Sequence, residues 1–301
     1  MLRLPGGERQ GPSVQRPRRS LSPYGRYAPQ SGAVAANLSW NLAPTIIVPL
    51  AAYGLLYILR WRRVRAHDGA RGAPGWRLAS FLAGVALLVV ALLSPVDSIS
   101  DQLASMHMVE HLLIADLAPI LLILGFTRIL LRPVTRPVHR IERAAGPLAH
   151  PAVAVVAYVT AMWLWHVPAL YDAAYSHPAV HALEHTCFFA AGFLYWWHLL
   201  SPIRSRLRLG GLGPVAYMGS TKLLVGLLGI VLTFAPHLLY DAYARGFHVW
   251  GLSAIADQNV AGAFMALEQS VVMGVALVVL LIRAIGESER EAAREDRLGL
   301  V

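Results

Sequence analysis

The sequence predicts an all-α, polytopic membrane bundle of about seven transmembrane helices, and three observations carry that prediction. Of 301 residues, 56% are hydrophobic and only 14% are charged, where a soluble domain carries roughly 25% charged residues. Seven apolar runs are each long enough to cross a bilayer. The arginines collect in every second connection between those runs. The composition excludes an ordinary soluble enzyme and excludes disorder over most of the chain.

Residues 1–36 are rich in Pro, Gly, Ser and Arg and lack apolar periodicity, so they read as a disordered basic tail. The tail has no compact apolar stretch with a cleavage site, unlike a signal peptide. The apolar runs follow at about 42–60, 76–94, 103–131, 151–168, 178–200, 214–235 and 257–283. Roughly 20 residues cross ~30 Å of hydrocarbon at about 1.5 Å per residue. Together the runs define a bundle over 37–285, and 286–301 reads as a charged helical extension.

Pro44 and Pro49 make the first run the weakest helix. The third run is long for one crossing and contains Pro119. Proline removes an intrahelical hydrogen bond and crowds the preceding turn, so a kink or break is expected there, beside Asp116.

Orientation follows from the arginines. Arg60, Arg62, Arg63, Arg65, Arg71 and Arg77 follow the first run, and Arg128, Arg132, Arg136, Arg140 and Arg143 follow the third. Arg204, Arg206 and Arg208 follow the fifth, and Arg283, Arg290, Arg294 and Arg297 follow the seventh. The opposite connections hold Arg245 alone, beside Asp97, Asp101, Asp172, Asp241 and Asp257. The positive-inside bias then places the C-terminus in the cytoplasm and the N-terminus outside. Six arginines in the tail oppose this orientation, and the internal bias outweighs them. The net charge of +9 sits between apolar runs, so its counter-charge is anionic lipid headgroups rather than nucleic acid. Cys187 is the single cysteine, which excludes an intrachain disulfide and any Cys-x-Cys or Cys-x-x-Cys metal site.

Eight of the twelve histidines (His107, His111, His166, His177, His181, His185, His237 and His248) fall in or near the outer third of the bundle in this topology. Titratable groups inside a membrane usually face a bundle interior or a wet cavity. Two segments are specific. His107-Met-Val-Glu-His111 opens the third helix and His181-Ala-Leu-Glu-His185 opens the fifth. At i and i+4, both imidazoles of each pair lie on one helical face, close enough to share a metal. Glu110 and Glu184 stand at i+3 from the first histidine, as acceptors for an imidazole or as ligands.

The seventh helix carries Met265-Ala-Leu-Glu268-Gln269 at the corresponding place, and Asp257-Gln258 precedes it as Asp101-Gln102 precedes His107. The third, fifth and seventh helices are therefore expected to be neighbours lining one cavity. The expected ligands are His107, His111, His181 and His185, completed by His166 or Met265. Glu110, Glu184, Glu268, Asp257 and Gln258 support them. Imidazole suits copper, zinc and iron, while thioether selects Cu(I). Met106, Met108 and Met265 therefore favour copper, as Cu(I), over zinc. Neighbours at i±1 diverge on a helix, so at least one of Met106 and Met108 belongs to ordinary packing. The bland readings are a hydrogen-bonded structural histidine for His237 or His248, packing or interfacial aromatics for Trp163, Trp165, Trp196 and Trp197, and a snorkelling Lys222. Cys187 reads as a small buried hydrophobe.

Four stretches together resemble the CtaG family of cytochrome c oxidase assembly factors, of the kind associated with the caa3-type oxidase. They are His107-Met-x-x-His111-Leu-Leu with Ala118-Pro119 and Gly125; Trp165-His166-x-Pro168-x-Leu170-Tyr171-Asp172; His181-x-x-Glu184-His185 with Gly192 and Trp196-Trp197; and Asp257-Gln258 with Ala261-Gly262. The likeness covers about residues 40–285. It implies a multi-pass protein of the bacterial plasma membrane that matures a copper-containing oxidase. Its partners would be oxidase subunits, with a periplasmic copper chaperone as a further candidate. A copper chaperone type of the same name uses a Cys-x-Cys pair, which this chain lacks, so that mechanism does not transfer. The ligand assignment rests on spacing and topology.

Two other functions stay open. His-x-x-Glu-His matches the inverzincin motif, so an intramembrane zinc hydrolase is the alternative, with Glu110 or Glu184 as general base. Histidines on facing helices also suit a bis-histidine haem carrier. A scaffold for oxidase subunits is the reading in which the histidines are structural.

Overall fold

The computed structural model describes residues 35–203, 205, 207, 209–244 and 249–297. The basic tail lies outside them except for Ala35 and Ala36, as do Arg204, Arg206, Arg208, Arg245 and His248. All seven apolar runs are helical.

The first is α1 (Pro44–Gly72). Pro44 sits in its first turn, where no backbone donor is needed, and Pro49 is accommodated inside the helix. The arginines expected in a loop after residue 60 instead prolong α1, since arginine is a good helix former. Gly69, at φ 66°, interrupts it. The Arg60 guanidinium donates to the carbonyls of Ile129 and Leu130. Next come α2 (Gly75–Leu93) and the short α3 (Pro95–Ser100).

The third run is α4 (Ala104–Leu112), a π-helical turn over Leu113–Leu117, and α5 (Ala118–Leu124). The kink expected near Pro119 takes this form: the Ala118 N–H reaches back to the Leu113 carbonyl, one residue wider than an α-helical bond. Asp116 lies inside the wide turn. Against that turn packs α9, which approaches so closely at Gly192 that a Cβ there would collide with the Ala115 carbonyl.

The connection after α5 is helical as well. α6 (Arg132–Ala145) sets Val134, Val138 and Ile141 at helical spacing among four arginines, the pattern of a helix lying in the membrane interface. It bends by 72° into α7 (Pro151–Trp165). The remainder comprises α8 (Pro168–Ser176), α9 (Pro178–Leu200), α10 (Gly213–Thr233), the single turn α11 (Asp241–Ala244) and α12 (Ala254–Arg297). The charged extension is the end of α12.

Among the described residues, five helices are long and apolar enough to cross a membrane: α1, α2, the α4–α5 unit, α10, and α12 up to Ile282. The bent α6–α7 pair is a sixth if it counts as one span. α9 has 23 residues but carries His181, Glu184, His185 and His198, and is not among them. Leu223, Leu227 and Ile230 on α10 with Phe234 just after it, and Val271, Val275, Val278 and Ile282 on α12, form exposed apolar stripes. Such stripes are costly in water and suited to lipid. The α4–α5 unit is the most buried candidate span and packs against α2, α9 and α12. α10 and α12 meet through Gly229 and Gly262, where a Cβ on Gly262 would strike the Thr233 backbone.

Candidate metal centre

The position of α4 is fixed at its N-terminus from another helix. The Asp257 carboxylate on α12 accepts from the Ala104 N–H at 2.6 Å, the Ser105 N–H at 3.1 Å and the Ser105 hydroxyl at 2.5 Å. An anion there also meets the positive end of the helix dipole. Gln258 accepts from the Leu239 N–H at 2.7 Å and donates to the His237 carbonyl at 3.1 Å. Both residues were expected to support the metal ligands. They instead tie α12 to α4 and to the segment after α10, because Asp257 meets the unpartnered N–H groups at the start of α4 and Gln258 meets backbone groups of the non-helical segment at His237 and Leu239.

With α4 so held, it runs beside α9 in parallel and in register. The His107 and His181 rings are 5.5 Å apart, and so are those of His111 and His185. Within each helix the i, i+4 rings are 4.1 Å apart. The two glutamates cross between the helices. Glu184 Oε2 is 3.8 Å from His107 Nε2 and its Oε1 is 3.8 Å from His111 Nε2. Glu110 Oε1 is 3.7 Å from His185 Nε2, and its Oε2 is 4.0 Å from His107 Nδ1. His107, His111 and Glu184 each offer a ligand atom within 4.8 Å of the others, and so do His107, Glu110 and His181.

Both oxygens of Glu110 and of Glu184, both ring nitrogens of His111, and Nε2 of His181 and His185 are buried without a hydrogen-bond partner. Glu110 and Glu184 are fully buried. A polar atom removed from water without a partner costs about 1–3 kcal/mol, more if charged. Five side chains gathered around His107 at that cost, their donor atoms facing one another, fit a cation between them. Two imidazoles and a carboxylate in each of these groups suit copper, zinc or iron, so the donor set fits a metal.

Two of the expected ligands lie elsewhere. His166 and Met265 line a small cavity of about 10 Å³ together with Met108, Met162, His111, Asp116 and Gln269, between α4, α7, α10 and α12. The three helices expected to line one cavity therefore line two: α4 with α9, and α4 with α12. A helix has two faces, and α4 lies between its partners. Met106 packs instead with Ile99, Leu103 and Val249, as expected for one of the two methionines beside His107. Glu268 is also away from the imidazoles; its Oε2 accepts from Gln269 at 2.7 Å. Lys222 does not snorkel outward, since its ammonium donates to the Gln269 carbonyl at 3.0 Å. Trp196 is a core residue: its indole N–H donates to Asp116 Oδ1 at 2.7 Å, and the Tyr158 hydroxyl donates to Oδ2 at 2.6 Å.

The sequence reading missed a tyrosine cover. Tyr171 on α8 lies 5.2 Å from the His107 ring and stacks on Tyr240 at 3.8 Å. The Tyr243 hydroxyl donates to the Ser100 carbonyl at 3.0 Å, and the Tyr240 hydroxyl donates to the His166 carbonyl at 3.3 Å. Met162 was also missed; its i, i+4 spacing to His166 was the available signal. His185 opens on the far side, in an apolar groove with Leu50, Tyr53, Leu88 and Phe189.

A family model described as cytochrome c oxidase caa3 assembly factor matches residues 55–287. The chain is 23% identical over 279 residues to an uncharacterised protein of Mycobacterium leprae, covering 86% of this chain and 41% of that one. It is 28% identical over 243 residues to uncharacterised proteins of Mycobacterium bovis and Mycobacterium tuberculosis, covering 74% of this chain and 36% of each. The chain thus spans about two fifths of the length of these curated relatives. No solved structure matches it.

Proposed function

The chain belongs to the family of cytochrome c oxidase caa3 assembly factors, and from that premise we propose that it binds copper at the four-histidine, two-glutamate centre and delivers it to the oxidase. The observation that carries this reading is the set of crossed, unpartnered carboxylates of Glu110 and Glu184 against the imidazoles of the opposite helix. Hydrogen-bonded structural histidines would not leave those atoms without partners. In the same proposal all seven apolar runs span the plasma membrane of a bacterium, with the N-terminus outside and the C-terminus in the cytoplasm. The centre then faces the extracytoplasmic side, where oxidase subunits receive the ion and a periplasmic chaperone can supply it.

The role is holding and transfer rather than catalysis. A hydrolytic zinc site keeps three ligands around one ion and one open position for water, whereas here two three-residue groups share His107, an arrangement suited to passing an ion between ligands. A haem carrier fits less well, because the imidazole rings lie 4.1 to 6.4 Å apart with carboxylates among them. That arrangement has no slot for a macrocycle.

The test uses two double variants, His107→Ala with His111→Ala, and His181→Ala with His185→Ala. Each is expected to lose at least one equivalent of copper from the purified protein and to lower oxidase activity in cells while the protein itself accumulates. Normal copper content and normal oxidase in both would overturn the proposal. Zinc bound in place of copper would move the hydrolase to first place.

A further inference from the structure

We propose that the cavity beside the His/Glu centre is a second, separate metal site, selective for Cu(I) and built from Met108, Met162, Met265 and His166. Three of the chain's seven methionines, drawn from α4, α7 and α12, line this one small space. All three are buried, as is His166. Leucine fills such a gap equally well; thioether adds a soft donor, and Cu(I) is the ion that prefers it.

The tautomer of His166 is the sharper argument. Its Nδ1 lies 2.6 Å from the Met162 carbonyl. A carbonyl oxygen only accepts, so Nδ1 carries the proton and Nε2 of the neutral ring is a bare lone pair. That lone pair faces the Met108 sulfur at 3.3 Å, and a thioether has no hydrogen to donate. Two electron-pair donors therefore converge with no proton between them. Metal bonds of about 2.0 Å to nitrogen and about 2.3 Å to sulfur place such a pair roughly at a right angle around one ion.

The remaining wall suits a single positive charge. Gln269 Oε1 is buried without a partner and lines the same cavity. Asp116 also lines it, with each oxygen already accepting a hydrogen bond. It therefore supplies charge balance from beside the ion rather than a ligand bond. A space of about 10 Å³ admits one water-sized sphere, and so one ion. His111 belongs to both walls, facing Glu184 on one side and this cavity on the other. An ion can therefore exchange ligands between the two sites without entering lipid or water, and with no change of oxidation state.

The inference rests on the copper reading of the His/Glu centre only for the exchange. The site itself is tested alone, with Cu(I) and the redox-inert Ag(I) as probes under nitrogen. Wild type is expected to bind one more equivalent of Ag(I) than the triple variant Met108→Leu, Met162→Leu, Met265→Leu, which keeps volume and loses sulfur. X-ray absorption of Cu(I)-loaded wild type is expected to show sulfur in the metal's shell, a readout that needs no variant to fold. His181→Ala with His185→Ala is expected to retain the sulfur-bound ion. Equal Ag(I) stoichiometry in wild type and triple variant, or a sulfur-free shell in the wild type, overturns this site while leaving the His/Glu centre standing. Loss of the His/Glu ion's dependence on His181 and His185, with sulfur binding intact, overturns the function proposed above and not this one.

Discussion

Glu110 is the neighbour of His111 on α4, yet its Oε1 lies 3.7 Å from Nε2 of His185 on α9. Glu184 mirrors this by reaching across to His107 and His111. Each helix thus supplies the counter-charge for the other's imidazoles, and neither motif is complete alone. Two copies of His-x-x-Glu-His are in this light two halves of one centre.

That reciprocity gives a prediction of sign. Glu110→Gln and Glu184→Gln should each weaken metal binding by about 10- to 100-fold, the range seen when groups around a metal are altered. The metal-free protein should lose no stability, because a neutral amide replaces a buried carboxylate with no partner. Metal titration and a thermal melt in detergent, read on the same samples, check both halves.

Asp257→Ala removes three hydrogen bonds from the start of α4. A lost helix cap costs about 0.5–2 kcal/mol, so the melting temperature should fall by a few degrees. Copper stoichiometry should stay at the wild-type value, which separates an anchoring residue from a ligand.

The expectation for Gly192→Ala is a loss of about 1–3 kcal/mol, as for overpacking elsewhere, since its Cβ would meet the Ala115 carbonyl. Gly54→Ala, with open space around the added carbon, is the control and should melt as wild type does.

Asp116→Leu leaves the Trp196 and Tyr158 donors buried without an acceptor, at about 1–3 kcal/mol each. Pairing it with Trp196→Phe and Tyr158→Phe in a triple variant should recover much of that loss, because no polar group is then stranded. Thermal melts of the single and triple variants measure the difference.

The seven helical segments and the pairing of α4 with α9 were legible in the sequence because hydropathy and i, i+4 spacing are local properties. What lay beyond it was non-local. Nothing in Asp257-Gln258 distinguishes a metal-supporting carboxylate from one that caps a helix more than 150 positions earlier. Likewise, the spacing that puts Met265 opposite His107 in depth does not say which side of α4 it faces. The π-helical turn at Leu113–Leu117 shifts the helical phase between His111 and Asp116, so a regular-helix projection misplaces the second half. The helices α3, α6, α8 and α11 were missed because they are too short or too polar to register as spans.

The most direct test of the central claim is the copper content of the purified, copper-loaded protein by mass spectrometry, in wild type and in the His107/His111 and His181/His185 double variants. The four-histidine, two-glutamate centre predicts copper bound by the wild type, with at least one equivalent lost in each double variant. Copper bound equally by all three proteins, or none bound by the wild type, contradicts it.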